Sequence, residues 1–257
     1  MNPQMMKKVI SIIVSIILVI GLSACGQSTE KKDITVFAAA SLTESMNEIK
    51  DTYEKENPNV NIVLNLDSSS RLRVQIEKGV DADIYLSANK KHAKALVEQG
   101  LSDNESEFVK NTMVFVTPKD GKIKSLEDLI KPYNIVIGQK EVPAGGYALE
   151  VIHKLDSKYK GAYEEKVLDN IASRENNVKQ VLAKVLLKEA DGAFVYSSDV
   201  TKEIKDEVNI IEIPKEYNTE AEYRACILAK DTETAALYEY IMGEPGLGIF
   251  EKYGFEK

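Results

Sequence analysis

"NLDSSSRLRVQIEKG", residues 65–79, sets three consecutive serines between an alternating apolar run and the opening turns of a helix. The run that leads into it, "VNIVLNL" at 60–66, alternates as a strand does. Behind it, Leu72 and Ile76 recur at helical spacing until Gly79 offers a C-terminal stop. One serine suffices to cap a helix N-terminus, so two of Ser68, Ser69 and Ser70 are surplus to local structure. Hydroxyls gathered at a strand-to-helix turn suit hydrogen bonding to something small and rich in oxygen.

The preceding unit has the same grammar. "DITVFAA" at 33–39 reads as a strand, and Leu42, Met46, Ile49 and Tyr53 then recur at helical spacing until Pro58. Ser41 falls at the N-cap, with Glu44 three residues on to complete a capping box. Capping alone would account for Ser41. The free N–H groups and positive dipole end of such a helix, with a hydroxyl added, also make an anion site. Two serine-bearing turns in adjacent βα units would lie side by side at one sheet edge.

Strands and helices alternate through the rest of the chain. "ADIYLSA" (82–88) and "TMVFVTP" (112–118) read as strands around the helix "KKHAKALVEQ" (90–99), which stops at Gly100. A second unit begins after Pro118: strand "YNIVIG" (133–138), loop and helix "VPAGGYALEVIHKL" (142–155), helix "NVKQVLAKVLLKEA" (177–190) and strand "DGAFVYSS" (191–198). "VNIIEIP" (208–214) and "AEYRACILA" (221–229) are further strands, and two helical stretches close the chain. This βαβ rhythm predicts a parallel sheet with ligands at the carboxyl ends of its strands. No Pro/Gly/Ser-rich linker separates the halves, so two lobes would be joined by ordered strands, as a hinge is.

The first 25 residues, "MNPQMMKKVISIIVSIILVIGLSAC", carry two lysines, an apolar stretch over 9–22 and small residues before a cysteine, the layout of a secretion signal. The apolar stretch is shorter than the roughly 20 residues a membrane-spanning helix needs. Leu22-Ser23-Ala24-Cys25 resembles a bacterial lipobox, which implies cleavage after residue 24 and lipidation of Cys25. Residues 25–32 would then be a flexible tether. Loss of residues 1–24 removes Lys7 and Lys8 and takes the formal charge from -8 to -10. Such a body does not bind nucleic acid through its net field, and any anion it holds must be held by local geometry.

Cys226, the one other cysteine, reads as a small buried hydrophobe, so no disulfide framework is expected. His92 and His153 lie in helical patterns without a second ligand at metal spacing, and structural or solvated roles are expected. G-x-S-x-G, Walker-type G-K-[ST] and H-E-x-x-H motifs are absent.

Seven segments in order carry a family resemblance: "ITVFAAASLTESM" (34–46), "SSSRLRVQIEKG" (68–79), "ADIYLSANKK" (82–91), "VPAGGYALEVIHKL" (142–155), "ENNVKQVLAKV" (175–185), "GAFVYSSD" (192–199) and "IFEKYGF" (249–255). Together they resemble the molybdate-binding extracytoplasmic proteins of ABC transporters, the ModA family. The resemblance implies an α/β, type II periplasmic-binding fold: two lobes, two interlobe crossovers and a ligand cleft between them. It places lobe 1 at 33–117 plus 226–257 and lobe 2 at 118–225. It implies no enzyme and no cofactor, but a monomeric carrier that delivers molybdate or tungstate to a membrane permease and its ATPase, anchored outside the cell by Cys25.

Carried over residue by residue, the oxyanion ligands are the hydroxyls of Ser41 and Ser69, the backbone N–H groups of Ala144 and Val178, and the phenol of Tyr196. All are neutral donors at strand-to-helix turns, which suits a fully deprotonated dianion; no residue binds the metal directly. Helix starts and ordinary packing are the plain alternatives for Ala144, Val178 and Tyr196. Asp67 and Arg71 depart from the family pattern. An Asp67 facing the cleft would suit a protonated ligand such as hydrogen phosphate; an outward Asp67 paired with Arg71 or Arg73 is the simpler picture. Sulfate or phosphate binding, and a lipid-anchored serine hydrolase acting through the triplet, are the alternative functions.

Overall fold

The computed structural model describes residues 31–257; the expected signal segment, Cys25 and most of the tether lie outside the described residues. Strand β1 (Lys32–Ala39) leads through a 3₁₀ turn (Ala40–Leu42) into α1 (Thr43–Glu56). Strand β2 (Val60–Asp67), α2 (Ser69–Glu77), β3 (Ile84–Ser87) and α3 (Lys90–Glu98) complete the first βα series. Strand β4 (Ser106–Pro118) then carries the chain into β5 (Ile135–Gly138), α4 (Pro143–Tyr159), α5 (Tyr163–Asp169), β6 (Ile171–Glu175), α6 (Val178–Leu186) and β7 (Gly192–Tyr196). Strands β8 (Val208–Glu212) and β9 (Glu220–Ile227) and helices α7 (Thr232–Met242) and α8 (Glu244–Lys252) end it.

The strand order is β2-β1-β3-β9-β4-β7-β5-β6, with β8 also on β4. Two parallel blocks, β2-β1-β3 and β6-β5-β7, are thus tied together through antiparallel β9 and β4. The βαβ rhythm predicted a parallel sheet, and both blocks are parallel; the direction of a strand leaves no mark on its apolar pattern, and antiparallel β9 and β4 make the whole sheet mixed.

β4 is longer than the expected 112–118 and changes partners along its length. Residues Ser106–Thr112 pair with β9, and Met113–Pro118 pair with β7 and β8. The returning chain changes halves between β8 and β9, where Asn218 binds both the N–H and the C=O of Met113. The changes of pairing partner therefore fall at about 112/113 and 218/219, earlier than boundaries after 117 and 225.

Strand β1 shows why the first block sits between two helical layers. Ile34, Val36 and Ala38 join the main core with Met46 and Ile49 of α1, while Phe37 packs on the other side with Leu72, Ile76, Tyr85, Leu96 and Cys226. A strand buried on both faces loses its alternation and reads as a continuous apolar run, as parallel strands do. Cys226 is fully buried, and burial pushes its thiol up to about 12, in keeping with a small hydrophobe.

The carboxyl ends of β1 and β2 lie abreast, with Ala39 opposite Asp67. This is the side-by-side arrangement the two serine turns required.

Candidate oxyanion site

Ser41, Ser69, Ala144, Val178 and Tyr196 all line one cavity, together with Ala39, Ala40, Ser68, Ala88, Val142, Pro143 and Asn177. No lining residue carries a charge. The cavity measures about 10 Å³, against about 630 Å³ for the open hollow outside it, which Asp67, Arg71, Arg73, Lys91, His92 and Glu141 border.

Helix starts supply its wall. The 3₁₀ turn before α1, and the first turns of α2, α4 and α6, bring Ser41, Ser69, Ala144 and Val178 to the cavity. First-turn N–H groups have no acceptor within their own helix and sit at the positive end of its dipole. In α4, Pro143 occupies the first position and has no N–H, so the first amide donor of that helix is Ala144. Gly145 makes the seat possible: a Cβ there would run into the carbonyl oxygens of Gln139 and Gly138, at the end of β5. Glycine lets the helix backbone press against the strand end and bring Ala144 to the cavity.

The hydroxyls are polarised as donors. Ser69 Oγ accepts the Ala88 N–H at 3.0 Å, which leaves its own proton available. The Ser69 carbonyl accepts from Tyr85 Oη at 2.8 Å, fixing the turn. Ser41 Oγ lies 2.7 Å from Tyr223 Oη. When Tyr223 donates, the Ser41 proton is free to point inward. Tyr196 is 1% exposed and its Oη, a buried polar atom, has no hydrogen-bond partner. An orphaned buried donor of this kind is costly unless a ligand or water satisfies it.

Burial pushes the phenols of Tyr196 and Tyr223 well above their ordinary range, helped at Tyr196 by neighbouring Tyr223 and Tyr147. Both therefore remain O–H donors throughout the neutral and moderately alkaline range. Their rings, with Tyr147, form an edge-to-face row with centroids 6.0 and 6.3 Å apart.

Several expectations change in detail. The capping box at Ser41 does not form: the α1 N-cap is Leu42, and Glu44 reaches Lys179 instead, with Oε1 and Oε2 at 2.9 and 2.8 Å from Nζ. Ser68 takes the N-cap position of α2, yet no hydroxyl of the triplet caps that helix. Ser68 and Ser70 bond each other at 3.3 Å, and Ser69 is committed to Ala88. Asp67 does not line the cavity. Its Oδ1 accepts from Ser68 N–H at 2.8 Å and from Asn177 Nδ2 at 2.9 Å, and its Oδ2 lies 3.4 Å from Arg71. Arg73 pairs with Glu77.

Sequence reasoning missed a second layer of residues. Tyr223 supports Ser41, and Tyr147 joins the two halves by hydrogen bonds to Asn89 (3.2 Å) and Ala88 O (3.4 Å). Asn111 bonds Ser197 and Ser198 at 2.8 and 2.7 Å, and His92 Nε2 lies 3.2 Å from Glu141 O. Burial lowers His92 to about 4, so at neutral pH its ring is uncharged and Nε2 donates to that carbonyl. The signal for Tyr223 was its alternation with Ala221 and Ala225 on one face of a strand; nothing local marked Asn111. His153 is exposed and bonds Glu164, as a solvated histidine does.

Among the described residues, no helix is long and apolar enough to cross a membrane, and no cluster of His, Cys, Asp and Glu could hold a metal ion.

YvgL of Bacillus subtilis, named as an ABC transporter substrate-binding lipoprotein, is 33% identical over 258 residues, covering 96% of each chain. The molybdate-binding protein ModA of Haemophilus influenzae is 30% identical over 264 residues, covering 97% of this chain and 99% of that one. In fold, the periplasmic molybdate-binding protein of Azotobacter vinelandii superposes with a TM-score of 0.77 at 18% identity, over 87% of this chain and 99% of that chain. The family model for bacterial extracellular solute-binding proteins matches residues 34–256. The chain belongs to the bacterial extracellular solute-binding protein family, in the group that includes the ModA proteins.

Proposed function

We propose that the chain captures molybdate or tungstate in the cavity between its two halves and presents it to an ABC permease and its ATPase. The observation that carries this reading is the unpartnered Tyr196 hydroxyl, buried in a small wall of neutral donors to which four helix starts converge. Such dipoles stabilise a dianion without a counter-charge. Hydrogen phosphate would need an acceptor for its proton, and the nearby carboxylates are engaged outside the cavity lining: Asp67 with Arg71 and Asn177, Glu44 with Lys179, and Asp199 with Lys179 and the Tyr196 N–H. Selection against sulfate then rests on size.

Ser41, Ser69, Ala144, Val178 and Tyr196 are the proposed ligands. The lobes that close are those defined by the pairing changes, 32–112 with 219–257 and 113–218. The carrier acts as a monomer, held to the cell membrane by lipid on Cys25. The hydrolase alternative has no support in the wall, where no histidine or carboxylate stands by Ser69.

Calorimetric titration with molybdate, tungstate, sulfate and phosphate tests the reading. Saturable binding of the first two and not the last two is expected; tighter binding of phosphate or sulfate, or ester turnover that disappears in Ser69→Ala, overturns it. Because the Tyr196 and Tyr223 protons are held past the ordinary phenol range, affinity is expected to stay level as the titration is moved from about pH 7 to about pH 10, where a free phenol is half ionised.

A further inference from the structure

Each serine-bearing turn of the first half also carries a carboxylate that leaves the cavity. Glu44 stands three residues after Ser41, and Asp67 two residues before Ser69. Both reach the same place in the second half, the start of α6. Asp67 accepts from Asn177, and Glu44 takes Lys179 with both oxygens. Between these two gripped residues lies Val178, on the cavity wall. The grip extends further: Lys179 lies 3.3 Å from Asp199, a fully buried residue whose Oδ2 accepts the backbone N–H of Tyr196.

We propose that Glu44 and Asp67 are positioning residues, a two-point clamp from the first half that fixes the first turn of α6 and the backbone of Tyr196 over a bound oxyanion, and so governs how fast the ligand leaves. The proposal rests on the oxyanion reading for its ligand. Neither carboxylate lines the cavity, so neither contributes a bond to the ligand. Their bonds to Asn177 and Lys179 cross from one half to the other and form only when the halves are closed. Opening parts Glu44 from Lys179 and Asp67 from Asn177, leaving Asp67 with Arg71 and the Ser68 N–H of its own half, and withdraws Val178 and Tyr196 from the serines in the same motion. The pairing also shields a bound anion from the two carboxylates: in the closed form Lys179 lies against Glu44, and Asn177 and Arg71 lie against Asp67.

The decisive measurement is the rate of molybdate release, by chase with excess tungstate, in wild type, Glu44→Ala, Asp67→Ala and the double variant. Each single change is expected to raise the release rate about tenfold and the pair about a hundredfold, the association rate staying within about twofold. Asp67→Asn, which keeps an acceptor for Asn177, restores most of the slow release. Melting of ligand-free Glu44→Ala and Asp67→Asn stays close to wild type, which a purely structural role would not allow. A double variant that releases molybdate within about twofold of wild type overturns the clamp.

If the wild type binds none of the oxyanions, the functional reading fails and a ligand-free measurement decides the clamp. Dye pairs on the two halves then report the closed fraction: a loss in the double variant supports the clamp, and equal distance distributions overturn it.

Discussion

Ser41→Ala combined with Ser69→Ala is expected to weaken oxyanion binding by about 2–6 kcal/mol, each hydroxyl contributing about 1–3 kcal/mol as a hydrogen bond to a charged ligand. Calorimetry on the single and double variants measures it, and unchanged affinity in both singles would place the ligand elsewhere. The effect divides unevenly. Ser69→Ala removes a donor and also leaves the Ala88 N–H without its acceptor, in a place closed to water. Ser41→Ala leaves the Tyr223 hydroxyl without its partner, and a small shift could turn that O–H toward the ligand. The loss at Ser69 is therefore expected to exceed that at Ser41. Melting of the ligand-free variants separates the two costs, because an orphaned Ala88 amide lowers it whether or not an anion is present.

The same two serines show how far the sequence could be read. Their surplus over local need was visible in "FAAAS" and "DSSSR", and adjacency of the two turns followed from consecutive βα units. Their partners were not visible. Tyr223 lies 182 residues from Ser41, and its hydroxyl reaches the turn only because antiparallel β9 returns beside β3. A pattern of periods has no means of expressing that return, since strand direction and sheet order are decided by long-range pairing. The capping box failed for a related reason. Ser41 and Glu44 have the right spacing, but Lys179 offers Glu44 an ammonium across the cleft, a stronger partner than a backbone amide. Element existence was legible where apolar periodicity was strong, as in α1 and α6. Strand β6, "IASRE", has no fully buried position, and α5 is a short turn of helix begun by a left-handed Ala162, so neither announces itself.

The charge bookkeeping at the site was legible in kind and not in position. Neutral donors were expected, and the wall is neutral. Asp67 and Arg71 looked like departures that could admit a protonated ligand. The structure spends them on each other and on Asn177, outside the cavity. Net charge of the body is irrelevant at this range, because the wall consists of dipoles in contact distance while the surface charges are screened within a Debye length of about 10 Å.

Gly145→Ala is expected to cost about 3 kcal/mol of stability, and to remove most oxyanion binding in the fraction that folds. The added methyl would overlap the carbonyl oxygens of Gln139 and Gly138, which are main-chain atoms and cannot turn aside as a side chain does. Relief requires α4 to lift from the end of β5. Any lift carries Ala144, the first amide donor of that helix, away from the serines on the opposite wall. Helix propensity alone predicts the opposite sign, since alanine is better than glycine inside a helix by about 1 kcal/mol. Gly146→Ala is the control that isolates the overlap: its nearest neighbour is Lys140 O at 3.6 Å, an ordinary contact. Gly146→Ala should therefore melt at or above the wild-type temperature and keep its affinity. Thermal denaturation and titration of the two variants side by side decide the matter, and a Gly145→Ala protein as stable and as tight-binding as Gly146→Ala would show that the close approach of helix and strand does not set the amide in place.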